Sequence, residues 1–209
     1  VLIPVILMAR RMWRAIAAAM IGFAVLVAAS GLLFGFELWT EYLLRTSQYQ
    51  MTLLNSEDNF FLLMMPSTLP SFRLAMFPEW AAWTAQAVTA GMALYLCFRA
   101  ERNGASMREL AFIGATATFL ILPYAFNYDM TVVSLGIALL LHGQWHQLNV
   151  AERAVLIAGF LCPQAVMLLS IADLPLVPAI LLAVLVVQVR RRGARVPDRE
   201  SGGFSVEAA

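Results

Sequence analysis

The feature that most constrains this chain is a pair of long apolar runs without a charged residue, at residues 15–36 and 80–98. At about 1.5 Å per residue, helices of these lengths match a bilayer core roughly 30 Å thick. Hydrophobic residues make up 61% of the sequence and charged residues 13%, so a soluble globule would expose far too much apolar surface. The composition therefore predicts an all-α, polytopic transmembrane helix bundle. It excludes a disordered chain and a nucleic-acid-binding protein.

Two further apolar stretches are too long to cross the membrane only once. Residues 110–145 contain one charge, Asp129, and would be about 54 Å long as one straight helix. Residues 154–188 are similar, with Asp173 and two nearby prolines in the middle. We therefore expect breaks at residues 123–129 and near Asp173. The chain is then expected to contain about six full spans, at residues 15–36, 80–98, 110–126, 130–142, 154–172 and 176–189. The fourth of these spans is short enough to be re-entrant instead.

The basic residues predict an orientation in the membrane. All 14 are arginines, and with six spans 12 of them fall on one face, with only Arg45 and Arg73 on the other. The positive-inside rule makes the first face, and with it the C-terminus, cytoplasmic. A single crossing by residues 110–145 would move the C-terminal arginines outside. The count therefore favours the break and places residues 127–129 at the outer edge of the membrane.

The two ends of the chain differ from the spans. Residues 1–9 are apolar but would reach only about 13 Å as a helix, so we expect them to be the tail of a truncated first span that starts upstream. Residues 190–209 are polar and rich in glycine and charge, which predicts a disordered cytoplasmic tail. The expected organisation is one transmembrane helical domain, residues 1–189, followed by this tail.

The longest segment between spans, residues 37–79, is rich in acidic and aromatic side chains. Aromatic residues favour the headgroup level, so we expect an outer loop that lies on the membrane with one or two short interfacial helices. Glu57 and Asp58 are candidates for orienting a polar substrate or a metal-bound phosphate. They are also typical of a solvated turn.

Asp129 is the one acidic residue in residues 110–145, and it lies between the two apolar stretches of that segment. Ionisable groups at such a depth are costly, which favours a functional role, and Asn127 and Tyr128 add hydrogen-bonding side chains. The alternative is that Asp129 N-caps the helix that begins at Met130, with help from Thr131. The two interpretations are compatible.

Several weaker patterns have ordinary structural explanations. Gly31 and Gly35 have the spacing that lets two helices approach closely, although they are also two glycines near a helix end. His142 and His146 would share one helical face, but no third ligand lies near and Gly143 disfavours a helix, so no metal site is predicted. Packing or helix-to-helix hydrogen bonds explain the remaining lone side chains in apolar runs: Gln86, Gln164, Gln188, Cys97 and Cys162.

Residues 123–129, Pro-Tyr-Ala-Phe-Asn-Tyr-Asp, resemble the Pro-x-x-x-x-Tyr-Asp segment of the membrane glycosyltransferase family 87. The run Arg-Arg-Met-Trp-Arg at residues 10–14 and Gly-Phe-Glu-Leu-Trp at 35–39 are similar to the family's second half. These are bacterial proteins of the GT-C type, also described as DUF2029. They include polyprenyl-phosphate-mannose-dependent α-1,2-mannosyltransferases.

The resemblance implies the C-terminal part of a GT-C-like transferase in a bacterial inner membrane. Its donor would be a polyprenyl-phosphate hexose and its acceptor an extracytoplasmic glycan or glycolipid. The family's catalytic acidic residue lies in an early outer loop, so no residue here inherits that role and the missing N-terminal part becomes a partner. Many relatives carry His after the proline, where this chain has Tyr124. A binding role carries over to Asn127, Tyr128 and Asp129.

Arg45 and Arg73, the two outer arginines, are candidates for contacting the lipid phosphate through paired hydrogen bonds. Contact with lipid headgroups explains them equally well. The alternatives to a transferase are a transporter or lipid flippase subunit, which would need a midplane site between broken helices, and a non-catalytic membrane scaffold. An acidic outer loop upstream would favour the transferase, whereas a second copy of this helix pattern would favour the transporter.

Overall fold

A computed structural model describes residues 7, 8, 10–55 and 60–191, and its regular structure there is entirely helical. The α-helices are α1 Trp13–Phe34, α2 Glu37–Asn55, α3 Thr68–Leu74, α4 Glu79–Arg102, α5 Met107–Ile121, α6 Thr131–Gln144, α7 Val150–Ile171 and α8 Val177–Arg191. Short 3₁₀ turns occupy Phe60–Met64 and Asn127–Met130. The predicted all-α membrane bundle is confirmed. Glu57, Asp58 and nearly all of the predicted tail lie outside the described residues.

Each of the six expected spans coincides with a helix, namely α1 and α4 to α8. Of these, α1, α4 and α7 are long and apolar enough to cross a bilayer, judged by length and composition. Helices α5, α6 and α8 have 15, 14 and 15 residues, or about 22 Å, which is shorter than a full hydrocarbon core. The short fourth span expected at residues 130–142 is therefore one of three short helices.

Both expected breaks are present. Helix α5 ends at Ile121 and α6 begins at Thr131, while α7 ends at Ile171 and α8 begins at Val177. The second break contains Asp173 at a φ of 55°, the left-handed region that Asp and Asn tolerate better than most residues other than glycine. Pro163 lies inside α7 without ending it.

The segment at residues 37–79 is more helical than the sequence suggested. Short interfacial helices were expected, but α2 runs for 19 residues before the 3₁₀ turn and the seven-residue α3. Residues 37–55 contain no glycine or proline to end a helix, and Glu41 and Arg45 form an i,i+4 ion pair at 2.7 Å. This absence of breakers explains the longer helix.

The core lies among α4 to α8, and glycines set the closest approaches. A Cβ atom on Gly136 would lie 2.7 Å from the Phe112 ring, and one on Gly159 would lie 2.4 Å from Val184. Both helix pairs therefore need glycine at these positions. The fully buried side chains of this core include Leu110, Ile113, Leu120, Met130, Val133, Ile137, Leu156, Leu181 and Leu185.

Helix α1 stands largely outside this core, and Gly31 is its one buried residue. A Cβ on Gly31 would meet the Phe36 ring at 2.3 Å, and Gly35 ends the helix with a φ of 93°. The Trp39 indole N–H donates to Ser30 Oγ at 2.9 Å across the same turn. The two glycines therefore form the α1–α2 turn, and the described residues show no helix pair packed on them.

Candidate functional site

The break between α5 and α6 forms one wall of a cavity of about 310 Å³. Its walls come from the end of α5, from the extended stretch after it and from the segment before α3. The lining residues are Met65, Thr118, Phe119, Leu122, Tyr124, Ala125, Phe126 and Asp129. Most of these are apolar, and the polar groups among them are the Asp129 carboxylate, the Tyr124 phenol and the Thr118 hydroxyl.

A buried polar side chain holds the extended stretch in place. Ser67, which is fully buried, accepts a hydrogen bond on Oγ from the Ala125 N–H at 3.3 Å. The neighbouring Thr68 and Thr89 hydroxyls lie 2.8 Å apart and join the start of α3 to α4. Backbone groups in a break have no partner within a helix. The Ser67 hydroxyl therefore supplies the hydrogen-bond acceptor for the Ala125 N–H.

The Gln86 side chain on α4 forms hydrogen bonds with the ends of two other helices. Its Oε1 accepts from the Leu69 N–H at 3.0 Å, which lies in the first turn of α3. Its Nε2 donates to the Leu120 and Ile121 carbonyls at 2.9 and 3.1 Å, in the last turn of α5. These are the terminal backbone groups that a helix cannot pair internally. The expected helix-to-helix role of Gln86 is confirmed, and it fixes the α5 end of the cavity.

Aromatic rings cover the other side of the break. The Phe126 ring stacks on Tyr128 with centroids 5.3 Å apart and an interplanar angle of 8°. Phe61 meets Phe126 edge-on at 6.2 Å, which connects the 3₁₀ turn before α3 to the break. Offset or edge-on ring pairs of this kind add to the apolar packing. Phe126 is thereby held as a fixed wall of the cavity.

Asp129 faces this cavity, and its carboxylate makes no hydrogen bond or ion pair with any residue that the structure describes. The expected N-cap role is not observed. The 3₁₀ turn moves the start of α6 to Thr131, so the cap position falls on Met130, which makes no side-chain capping bond. The Asp129 carboxylate is therefore available for a ligand.

The other residues of the Asn-Tyr-Asp run point elsewhere. Asn127 Nδ2 donates to the Pro163 carbonyl on α7 at 3.0 Å, while its buried Oδ1 has no partner among the described residues. The Tyr128 side chain is 62% exposed and lies behind Phe126. Of the four residues predicted around this break, the cavity thus brings together Tyr124 and Asp129, while Asn127 anchors the turn to α7.

Arg45 and Arg73 do not line the cavity. Arg45 pairs with Glu41 on the exposed surface of α2, and Arg73 Nη2 lies 2.7 Å from Glu79 Oε1. Three lining residues were not identified from the sequence. Met65 comes from the segment before α3, and Thr118 and Phe119 come from the end of α5. The sequence offered only position as a signal: Thr118 and Phe119 lie five and four residues before the predicted break, and Met65 had no such signal.

Chemically, this arrangement suits a ligand that carries hydroxyl groups and an apolar face. The carboxylate accepts hydrogen bonds from hydroxyls, and the rings pack against C–H groups. No cation lines the cavity within the described residues, so a phosphate would face only the negative charge of Asp129. Among these residues no group of three metal-ligating side chains comes together either.

Taken together, the fold and the site define a membrane-embedded, all-α protein with a cavity where a helix pair is broken. The model of glycosyltransferase family 87 matches residues 1–123, more than half of the sequence. The chain belongs to this family. No curated protein and no solved structure matches it. The matched region ends at Pro123, so the cavity residues Tyr124 and Asp129 lie just beyond it.

Proposed function

We propose that this protein is part of a membrane hexosyltransferase that moves a mannose-like sugar from a polyprenyl-phosphate donor to an extracytoplasmic glycan or glycolipid. Its setting would be a bacterial inner membrane, with the C-terminus in the cytoplasm. Family membership supports sugar transfer. The observation that carries the finer proposal is Asp129, a carboxylate without a partner among the described residues in a mostly apolar cavity.

In this proposal the cavity holds a sugar ring. Asp129 accepts hydrogen bonds from two ring hydroxyls, and the Tyr124 hydroxyl donates or accepts one more. The apolar face of the ring packs on Phe126, whose orientation Phe61 and Tyr128 fix. The polyprenyl chain lies outside the cavity, in the lipid.

The phosphate of the donor would be bound elsewhere on the outer face. Arg45 and Arg73 stay candidates. The exposed Arg45–Glu41 pair contributes little and exchanges its partner readily, whereas Arg73 is mostly shielded and would have to release Glu79 to bind the phosphate. We place the catalytic base outside these 209 residues, as the resemblance implies. Residues 1–209 alone would then be inactive and would need the N-terminal part of the protein.

The test is a transfer assay in proteoliposomes with the native, full-length gene product. Radiolabelled mannose is supplied either on polyprenyl phosphate or on a nucleotide. The expected result is labelled glycolipid from the lipid donor alone, and none from residues 1–209 by themselves. Label from the nucleotide donor, or product from the isolated chain, would contradict the proposal. Movement of the labelled lipid across the bilayer without transfer would support a transporter or flippase.

A further inference from the structure

A second cavity, of about 400 Å³, lies between α6 and α7. Since α6 starts at the candidate site and ends at Gln144, this groove is at the opposite end of α6, on the predicted arginine-rich face. Its lining residues are Ala138, Leu141, His142, Trp145 and Phe160. An apolar groove thus opens beside an imidazole and an indole, and the indole is a side chain that favours the edge of a membrane.

A cation stacks on Trp145, one of the side chains that line this groove. The Arg153 guanidinium carbon lies 4.7 Å from the centre of the Trp145 ring, which is a cation–π arrangement. Stacking on the ring leaves the N–H groups in the guanidinium plane free to donate sideways. Its Nε is buried and has no hydrogen-bond partner among the residues the structure describes. The Trp145 ring therefore fixes the position of the Arg153 guanidinium, while its Nε–H group is left without a hydrogen-bond acceptor among the described residues.

Glu152, the acidic residue next to Arg153 in the sequence, does not neutralise it. The Glu152 carboxylate accepts from Arg191 Nε at 2.9 Å and also contacts Arg191 Nη2. It further accepts from the Asn149 N–H in a capping box at the start of α7. Glu152 is thus occupied by Arg191 and by the helix end, which leaves Arg153 without an ion-pair partner among the described residues, on the Trp145 ring that lines the groove.

We infer that this groove binds an anionic phospholipid of the cytoplasmic leaflet. One acyl chain packs against Ala138, Leu141 and Phe160, and Arg153 with His142 holds the phosphate. The charge of Arg153 complements the headgroup, and the apolar walls of the groove match an acyl chain. A free phosphate has no acyl chain and would leave these walls without a partner. Basic pockets between helices on this side of a membrane are suited to such lipids.

The same geometry accounts for the His-Gly-Gln-Trp-His run at residues 142–146. Helix α6 ends at Gln144, so His142 and His146 do not share a helical face as a metal pair would require. His142 lines the groove, whereas His146 does not. The run therefore places one imidazole and one indole at the groove rather than two ligands around an ion.

The test is native mass spectrometry of the purified protein in micelles that contain equal amounts of dioleoyl phosphatidylglycerol and dioleoyl phosphatidylcholine. We expect retained phosphatidylglycerol to exceed phosphatidylcholine, and Arg153→Gln to weaken its retention at least about tenfold, as the loss of a charged hydrogen bond predicts. Arg102→Gln is the matched control, because Arg102 also stands over a ring, Phe98 at 5.5 Å, but Phe98 is not one of the side chains that line this groove, whereas Trp145 is. It should change retention less than twofold.

Two further arms keep the proposal refutable if Arg153→Gln folds poorly. Ala138→Trp fills the groove without changing charge and should also reduce retention of phosphatidylglycerol. Millimolar glycerol phosphate should not displace the lipid. Equal losses in Arg153→Gln and Arg102→Gln, equal retention of the two lipids, or displacement by glycerol phosphate would each overturn the inference.

Discussion

Gln86 is the side chain on which the geometry of the broken helix pair depends most. It is 4% exposed and makes three hydrogen bonds, one to the first turn of α3 and two to the last turn of α5. Gln86→Met keeps the size of the side chain and removes all three. The Leu69 N–H and the Leu120 and Ile121 carbonyls would then be left at helix ends in an apolar surrounding.

The expected loss follows from these three bonds. Side-chain hydrogen bonds in membrane proteins average about 0.6 kcal/mol, and buried bonds in general reach about 1.5 kcal/mol. Three such bonds predict that Gln86→Met lowers the free energy of unfolding by about 2–4.5 kcal/mol. The end of α5 carries Thr118 and Phe119, so the cavity should also lose its shape.

Denaturation by sodium dodecyl sulfate in mixed micelles, followed by circular dichroism, measures this loss. The matched control is Gln164→Met on α7, because Gln164 is exposed and makes no hydrogen bond to any described residue. That control should stay within about 0.5 kcal/mol of the parent, as surface changes do. A loss below about 0.5 kcal/mol for Gln86→Met, or equal losses in both variants, would refute the capping role.

Two further predictions concern stability. Gly159→Ala should lower the free energy of unfolding by about 1–3 kcal/mol, because the added Cβ would lie 2.4 Å from Val184. The control is Gly22→Ala, where the added Cβ would have no atom within 4 Å. It should be neutral or stabilising in the same denaturant titration. A tolerated Gly159→Ala would show that the helices can separate. Glu152→Gln should lower the thermal midpoint more than Glu41→Gln, since the Glu152–Arg191 pair is largely shielded and the Glu41–Arg45 pair is exposed. Equal shifts in a thermal melt would contradict that ranking.

The sequence predicted the positions of the helix breaks because length alone forces them. A helix over residues 110–145 would be nearly twice as long as the bilayer core is thick, and only one stretch in it contains a proline beside polar residues. The same reasoning placed the second break near Asp173. Helix α2 was missed because aromatic and acidic residues indicate a membrane surface but do not by themselves tell loop from helix.

The candidate site was predicted only in part, because its walls depend on contacts between distant segments. Tyr124 and Asp129 could be found from the break itself. Met65 and Ser67 could not, since only packing brings the segment before α3 under residues 123–126. The capping of α3 and α5 by Gln86 was likewise invisible, because a lone glutamine in an apolar run does not reveal which helix ends lie beside it.

The most direct test of the proposed cavity is the transfer rate of the native protein with Asp129→Asn, measured with polyprenyl-phosphate mannose in proteoliposomes. Asp173→Asn is the matched control, because Asp173 is an exposed aspartate at the other helix break and its φ of 55° suits asparagine. Loss of charged hydrogen bonds to a sugar predicts a rate at least about tenfold lower for Asp129→Asn. Asp173→Asn should stay within about twofold of the parent, as expected for an exposed site away from the cavity. An unchanged rate for Asp129→Asn, or equal decreases in both variants, would contradict the assignment of the sugar to this cavity.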